Sequence, residues 1–286
     1  MNKILKIIAI TTLMVFNCVT NAYAEINQVQ SKDRFERIKE KGVLTVASSG
    51  DRPFVYLDPK TGEYNGLTVD IIHEIAKRLE IPKVEFKIYP FGELLGKLDT
   101  DNEIDMVVDR FHVTPERKKL YNFTHFLYKD YDTIVTTKYS KYVFKENLKN
   151  AVAGVLKGSL YEKIANKLKD TGNLKDVITY EHEDLLGAEL INRKIDVLLT
   201  GSVNANYLAA KDPNILFKAL SLTEYTPTSA GGVGFPIRKS DIILLDVVNE
   251  TINDMKLDDT LQKILNKNGL DETYYLWYLN IFNESC

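Results

Sequence analysis

The chain has 286 residues, of which 44% are hydrophobic and 27% charged, and its formal net charge is −3. This is ordinary globular composition, long enough for one large domain or two of moderate size. The acidic balance and the lack of a long basic run exclude a nucleic-acid partner. The four histidines and two cysteines match no zinc spacing, so neither a metal site nor a cofactor is expected.

The first segment reads as a targeting signal rather than as structure. Lys3 and Lys6 form a positive start, residues 7–16 are mostly apolar, and Ala22-Tyr23-Ala24 has the form of a cleavage site. The apolar run is too short to span a bilayer comfortably. Removal of residues 1–24 takes away two lysines and leaves a net charge of −5. Cys18 invites a lipoprotein reading, but the preceding Val15-Phe16-Asn17 lacks small residues, so a soluble periplasmic product is expected. Only Cys286 then survives, and no internal disulfide is expected.

Residues 32–41 read as a helix stopped by Gly42, and residues 43–47 as a first strand. Asp58, Pro59 and Gly62 mark a turn between two short strands. Val69, Ile72, Ile75, Ala76 and Leu79 recur at helical spacing. Residues 84–88 alternate as a strand, 91–98 form a helix and 104–108 another strand. An extended segment follows at 128–137. A second α/β pattern then runs through strands at 152–156, 176–180 and 195–199, with helices at 160–168 and 184–192. Residues 232–237 read as a strand, and 240–255 and 260–266 as helices. This alternation predicts α/β units with parallel pairing. The aromatic cluster of Tyr274, Tyr275, Trp277 and Tyr278 is expected to pack a terminal helix. The run Gly231-Gly232-Val233-Gly234 lacks the Lys-Ser/Thr of a phosphate loop and reads as a turn entering a strand.

The segment from Asp105 to Arg117 carries the most chemistry. A short apolar strand runs into a polar loop and then a helix start, with Thr114 as N-cap and Pro115 at the first helical position. Arg117 in the first turn opposes the helix dipole. It either forms a surface ion pair with Glu116 or Asp109, or joins the loop in receiving an anionic group.

That segment, with Gly42 to Val46, Gly50-Asp51-Arg52-Pro53-Phe54, Gly66 to Asp70, Phe91-Gly92-Glu93, Gly154 to Ser159, Lys194 to Leu198 and Gly232 to Lys239, resembles the family 3 extracellular solute-binding proteins. These are the receptors of polar amino acid ABC transporters. The resemblance implies a two-lobed α/β fold of the type II periplasmic binding protein kind, with a two-stranded hinge. Lobe 1 would be residues 25–133 plus 228–286, and lobe 2 residues 134–227. It implies a monomer that closes around a small carboxylate or amino acid and passes it to ABC transporter membrane subunits. It places Arg117 on the ligand carboxylate, Ser159 opposite it through a backbone N–H, and Phe91 as an aromatic wall; Ser159 also reads as N-cap of the helix at 160–168. Ser48, Ser49 and Asp51 would lie at the cleft mouth, with Phe54 as core beneath it.

Two departures bear on the ligand. The family places an Asp that neutralises the ligand α-ammonium at the position of Gly201, and a glycine offers no charge to a buried ammonium. Small residues usual around the carboxylate site are replaced by Asp109, Arg110 and His112. Either another acid (Asp51, Asp109 or Glu224) takes over the anchor, or the ligand has no α-ammonium. His112 either donates to the ligand or caps the loop. The opening stretch from Asp33 to Asp51 also resembles periplasmic cyclohexadienyl dehydratases, which act on prephenate or arogenate. That makes an enzyme on the same fold the alternative to a non-enzymatic receptor.

Overall fold

The computed structural model describes residues 33–142, 145–218 and 231–275. The expected signal peptide with Cys18, the acid Glu224, the lobe boundary at 227/228, and Trp277, Tyr278 and Cys286 lie outside these residues.

Helix α1 (Arg34–Lys41) begins where the Asp33 side chain accepts from the Phe35 and Glu36 N–H groups, and ends at Gly42 with φ +67°, a conformation that suits glycine. It feeds β1 (Val43–Ser48), the centre of a three-stranded sheet. There β1 pairs in parallel with β4 (Lys83–Ile88) on one side and β5 (Met106–Val107) on the other. A small hairpin, β2 (Tyr56–Leu57) and β3 (Tyr64–Asn65), leads to α2 (Leu67–Arg78). This helix buries Ile71, Ile72 and Ile75 completely, as its apolar period predicts. Gly66 precedes it because a Cβ there would sit 2.3 Å from the Phe54 carbonyl oxygen. Asp105 pins the sheet edge, accepting from the Thr45 N–H at 2.8 Å and from Arg34 at 3.3 Å.

The expected helix at 91–98 is a 3-10 turn over Phe91–Glu93 followed by α3 (Leu94–Thr100). Beyond β5 come α4 (Pro115–Leu120), β6 (Tyr121–Phe123) and β7 (Tyr128–Lys129). The extended segment expected over 128–137 is broken at Asp130, and β8 (Asp132–Thr137) belongs to a different sheet.

That second sheet has five strands. Their order is β10 (Asp176–Tyr180), β9 (Val152–Leu156), β11 (Val197–Gly201), β8, then β12 (Ile215–Lys218). The first three run parallel, and β8 runs antiparallel to both of its neighbours. Its helices are the short α5 (Lys145–Leu148), then α6 (Leu160–Asp170), α7 (Asp184–Ile191) and α8 (Ser202–Lys211). Sequence patterning misses α8 and β12. The inner face of α8 includes Ser202 and Asn204, both buried, so its apolar stripe is weak.

The chain returns through β13 (Gly232–Val233), paired with β7, and β14 (Pro236–Arg238), paired with β6. One strand was expected over 232–237. Two short ones form because Gly234 turns aside, its N–H donating to the Phe111 carbonyl. Helices α9 (Ile242–Leu257) and α10 (Thr260–Lys267) then cover the first sheet. Tyr274, in a closing 3-10 turn, joins that core.

Each sheet has its own apolar cluster. A third cluster draws Ala47, Phe91, Leu94 and Phe111 together with Leu156, Leu186, Leu198 and Leu208, so the two lobes pack on each other. Their backbones touch: a Cβ on Gly158 would lie 2.5 Å from the Gly92 Cα. The side chains expected at the site meet along this seam.

Candidate functional site

The loop after β5 delivers two arginines to the seam. Thr114 caps α4 by accepting from the Arg117 N–H at 3.3 Å, which holds Arg117 at the helix start. Its guanidinium is buried rather than in a surface ion pair with Glu116 or Asp109, and its polar contacts are carbonyls. Nη1 donates to the His112 oxygen at 2.9 Å, and Nη2 crosses the seam to the Gly158 oxygen at 3.2 Å. The Phe111 ring lies 4.9 Å beneath it. Among the described residues no carboxylate comes within ion-pair range of Arg117. Burial, offset only by the nearby Glu116, lowers its pKa to about 10, so it stays cationic at neutral pH.

Arg110 is the reverse case. Nη2 donates to both Glu183 oxygens at 2.7 and 2.8 Å. Nη1 lies 3.3 Å from Asp130 Oδ2 and 3.4 Å from Thr200 Oγ1. The guanidinium is flanked by the Phe54 and Tyr161 rings at 5.1 and 5.7 Å. Burial opposes its charge, but Glu183 and Asp130 outweigh that and raise its pKa above the ordinary value. Glu183 also accepts from Thr200 Oγ1 at 2.6 Å and Asn204 Nδ2 at 2.8 Å. Asp130 accepts from Ser202 Oγ at 3.0 Å and the Val203 N–H at 3.2 Å. Burial pushes Asp130 up, yet the hydrogen bond from His112 and the Arg110 charge bring its pKa to about 2.

His112 sits between the two arginines, its Nε2 3.5 Å from Asp130 Oδ2 and 3.4 Å from the Tyr161 hydroxyl. Its ring meets Tyr161 edge-on, and its backbone bridges to Val233. Ser48 Oγ donates to Asp109 Oδ2 at 3.0 Å, which also accepts the Ser49 N–H at 2.7 Å. Asp51 is buried. Its Oδ1 is 3.6 Å from His182 Nδ1, and its Oδ2 has no hydrogen-bond partner. Burial first, then the charges of Glu183 and Asp109, push its pKa up to about 8.

Three of the expected site residues have local partners of their own. Phe91 stacks on Phe111 at 4.5 Å, and it is Phe111 that carries Arg117. Ser159 caps α6, accepting from the Glu162 N–H at 3.2 Å, while its own N–H closes a turn on the Leu156 carbonyl. At Gly201, a Cβ would lie 1.9 Å from Asp130 Oδ2 and 2.5 Å from Arg110 Nη1, so the missing aspartate's space is already filled by another ion pair. Sequence reasoning missed Glu183, Asp130, Thr200, Asn204, Tyr161 and Phe111. The acid run Glu181-His182-Glu183-Asp184 before an apolar helix, and Asp130 between two apolar strands, are the signals that mark two of them.

A clamshell of two α/β lobes, with a buried arginine from one lobe reaching the backbone of the other, defines a receptor for small solutes. The model of the bacterial extracellular solute-binding proteins, family 3, matches residues 44–271, and the chain belongs to that family. It is a solute-binding protein rather than an enzyme, as are the relatives it matches. The lysine/arginine/ornithine-binding periplasmic protein of Escherichia coli K12 is 26% identical over 219 residues, which is 75% of this chain and 82% of that protein. An amino acid ABC transporter substrate-binding protein from Streptococcus pneumoniae, solved with L-arginine bound, superposes with a TM-score of 0.74. It is 25% identical, and the match covers 83% of this chain and 98% of that one. An ancestral amino acid-binding protein, a precursor of cyclohexadienyl dehydratase, superposes at 0.71 with 27% identity over 82% and 99% of the two chains. Even this neighbour on the dehydratase lineage is described as a binding protein. Among the described residues no helix is long and apolar enough to cross a membrane.

Proposed function

We propose that the chain captures an amino acid or a related small carboxylate in the periplasm and hands it to the membrane subunits of an ABC transporter, as a monomer released from a signal peptide at residues 1–24. The lobes are residues 25–133 plus 228–286, and residues 134–227. Arg117 receives the ligand carboxylate over the Phe111 face, with Phe91 behind and Ser159 at the opposing helix start. Arg110, His112, Ser48, Asp51 and the Gly201 position shape the rest of the cleft. A carboxylate on Arg117 would exchange the Gly158 carbonyl contact for a charge-assisted pair. The ligand then favours the closed form because only there do donors from both lobes converge.

The observation that carries this reading is Arg117, a buried guanidinium whose hydrogen-bond partners are carbonyl oxygens. The names of the relatives support the amino acid class. Arg117→Ala should abolish the ligand-induced rise in melting temperature across a panel of amino acids and small carboxylates. It should also lower the unliganded stability by about 1–3 kcal/mol, the loss of two hydrogen bonds, without unfolding the protein. If the variant keeps the ligand-induced rise, the assignment fails.

A further inference from the structure

Arg110 and Glu183 come from opposite sides of the seam, one from the loop after β5 and the other from the turn that begins α7. Their side chains are each 4% exposed, and Arg110 Nη2 donates to both Glu183 oxygens at 2.7 and 2.8 Å. The neighbours complete the pair. Thr200 and Asn204 donate to Glu183 Oε1 at 2.6 and 2.8 Å, and Arg110 Nη1 lies 3.3 Å from Asp130 Oδ2. The Phe54 ring and, from α6, the Tyr161 ring flank the guanidinium. A buried ion pair stabilises only where its geometry is good and the remaining lone pairs find donors. Both conditions hold here. Thr200, Asn204 and Tyr161 belong with Glu183 to the second sheet and its helices, so parting of the halves takes all of them from Arg110 together.

The surrounding charges make Arg110 the deciding member of the pair. Asp51 and Asp109 lie on its own side of the seam and face Glu183. Beyond the effect of burial, Glu183 and Asp109 both oppose the ionisation of Asp51. Burial and the Asp109 charge raise the pKa of Glu183, and Arg110 is the largest influence holding it down. Without the guanidinium, acids would face acids across the seam and the halves would repel. Two other charged contacts across it are looser and partly exposed: Arg52 lies 3.6 Å from Asp184, and His182 lies 3.6 Å from Asp51.

We propose that Arg110 is an internal latch: its pairing with Glu183 holds the two halves of the cleft closed through the chain's own charges, before any solute arrives. Closure then has two sources, the latch and the solute. A solute enters only after Arg110 releases Glu183, so the latch lowers the apparent affinity in proportion to the fraction of molecules that are open. The pair lies within the chain and does not depend on which solute Arg117 receives.

The test is small-angle X-ray scattering of the purified protein, freed of retained solute by unfolding in urea and refolding, beside Arg110→Gln, Glu183→Gln and the double variant. The solute-free parent should match the closed structure. Arg110→Gln should raise the radius of gyration by about 1 Å on the roughly 18 Å of a compact chain of this length. The double variant, which also removes the unpaired acid, should return part of the way to the parent. A solute-free parent that is already open overturns the latch, and so does an Arg110→Gln variant as compact as the parent. A double variant as open as Arg110→Gln shows that Arg110 acts by filling space and also overturns it. If circular dichroism shows that Arg110→Gln does not fold, Glu183→Gln carries the test, because it breaks the same pair without leaving an unpaired acid. It should be larger than the parent, and a compact Glu183→Gln refutes the latch. No solute is added, so the outcome is independent of the assignment of Arg117.

Discussion

Arg110 and Arg117 stand seven positions apart on one loop and helix start, both buried, both reaching the opposite lobe, and they do different work. Arg110 ends on two carboxylates and is enclosed by aromatic rings. Arg117 ends on two carbonyl oxygens. A buried guanidinium matched by carboxylates is a cross-link whose removal strands the partner charges. A buried guanidinium matched only by neutral acceptors keeps unspent capacity for an anion. Burial alone does not separate the two roles; the partners do.

The comparison breaks most visibly at Arg110. Arg110→Ala leaves Glu183 and Asp130 uncompensated, and urea unfolding should show a loss of about 3–5 kcal/mol. A loss no larger than that of Arg117→Ala would mean that the network is solvated and that Arg110 resembles Arg117 after all. Next in size is Gly201→Ala. The new methyl must displace Asp130 and Arg110 from contacts that would be 1.9 and 2.5 Å, an overpacking that costs about 1–3 kcal/mol. For the same reason, restoring an aspartate at 201 should destabilise the fold rather than tighten ligand binding. A variant as stable as the parent would show that the pair yields freely.

A smaller effect sharpens the charge account. Asp51 ionises near 3.8 in an unfolded chain but at about 8 in the folded one. Between these values the folded protein holds one more proton, so the contribution of Asp51 to stability falls as pH rises from about 4 to about 8. Asp51→Asn removes that penalty. Its melting temperature should exceed that of the parent by more at pH 8 than at pH 5, and a gain independent of pH would show that Asp51 is ionised throughout.

Much of this was legible beforehand. The helix stop at Gly42, the Thr114 cap and the Ser159 cap follow local rules and stand where those rules put them. The alternation of strands and helices gave the fold class. Helix α8 was not legible, because its buried face includes polar residues that bond to the seam. Phe91 was assigned to the ligand wall by resemblance, and only packing shows Phe111 interposed. Gly201 looked like a missing charge, whereas its neighbours show an occupied space.

The sequence by itself determined most of the secondary elements and the delivery of Arg117 to a helix start, because capping, periodicity and glycine conformations act over a few residues. The tertiary structure alone decided which acid meets which arginine. Arg110 and Glu183 lie 73 positions apart, and Arg117 meets Gly158 across 41. Charge pairing depends on distance in space and on exclusion of water, and neither is written in the spacing of residues along a chain.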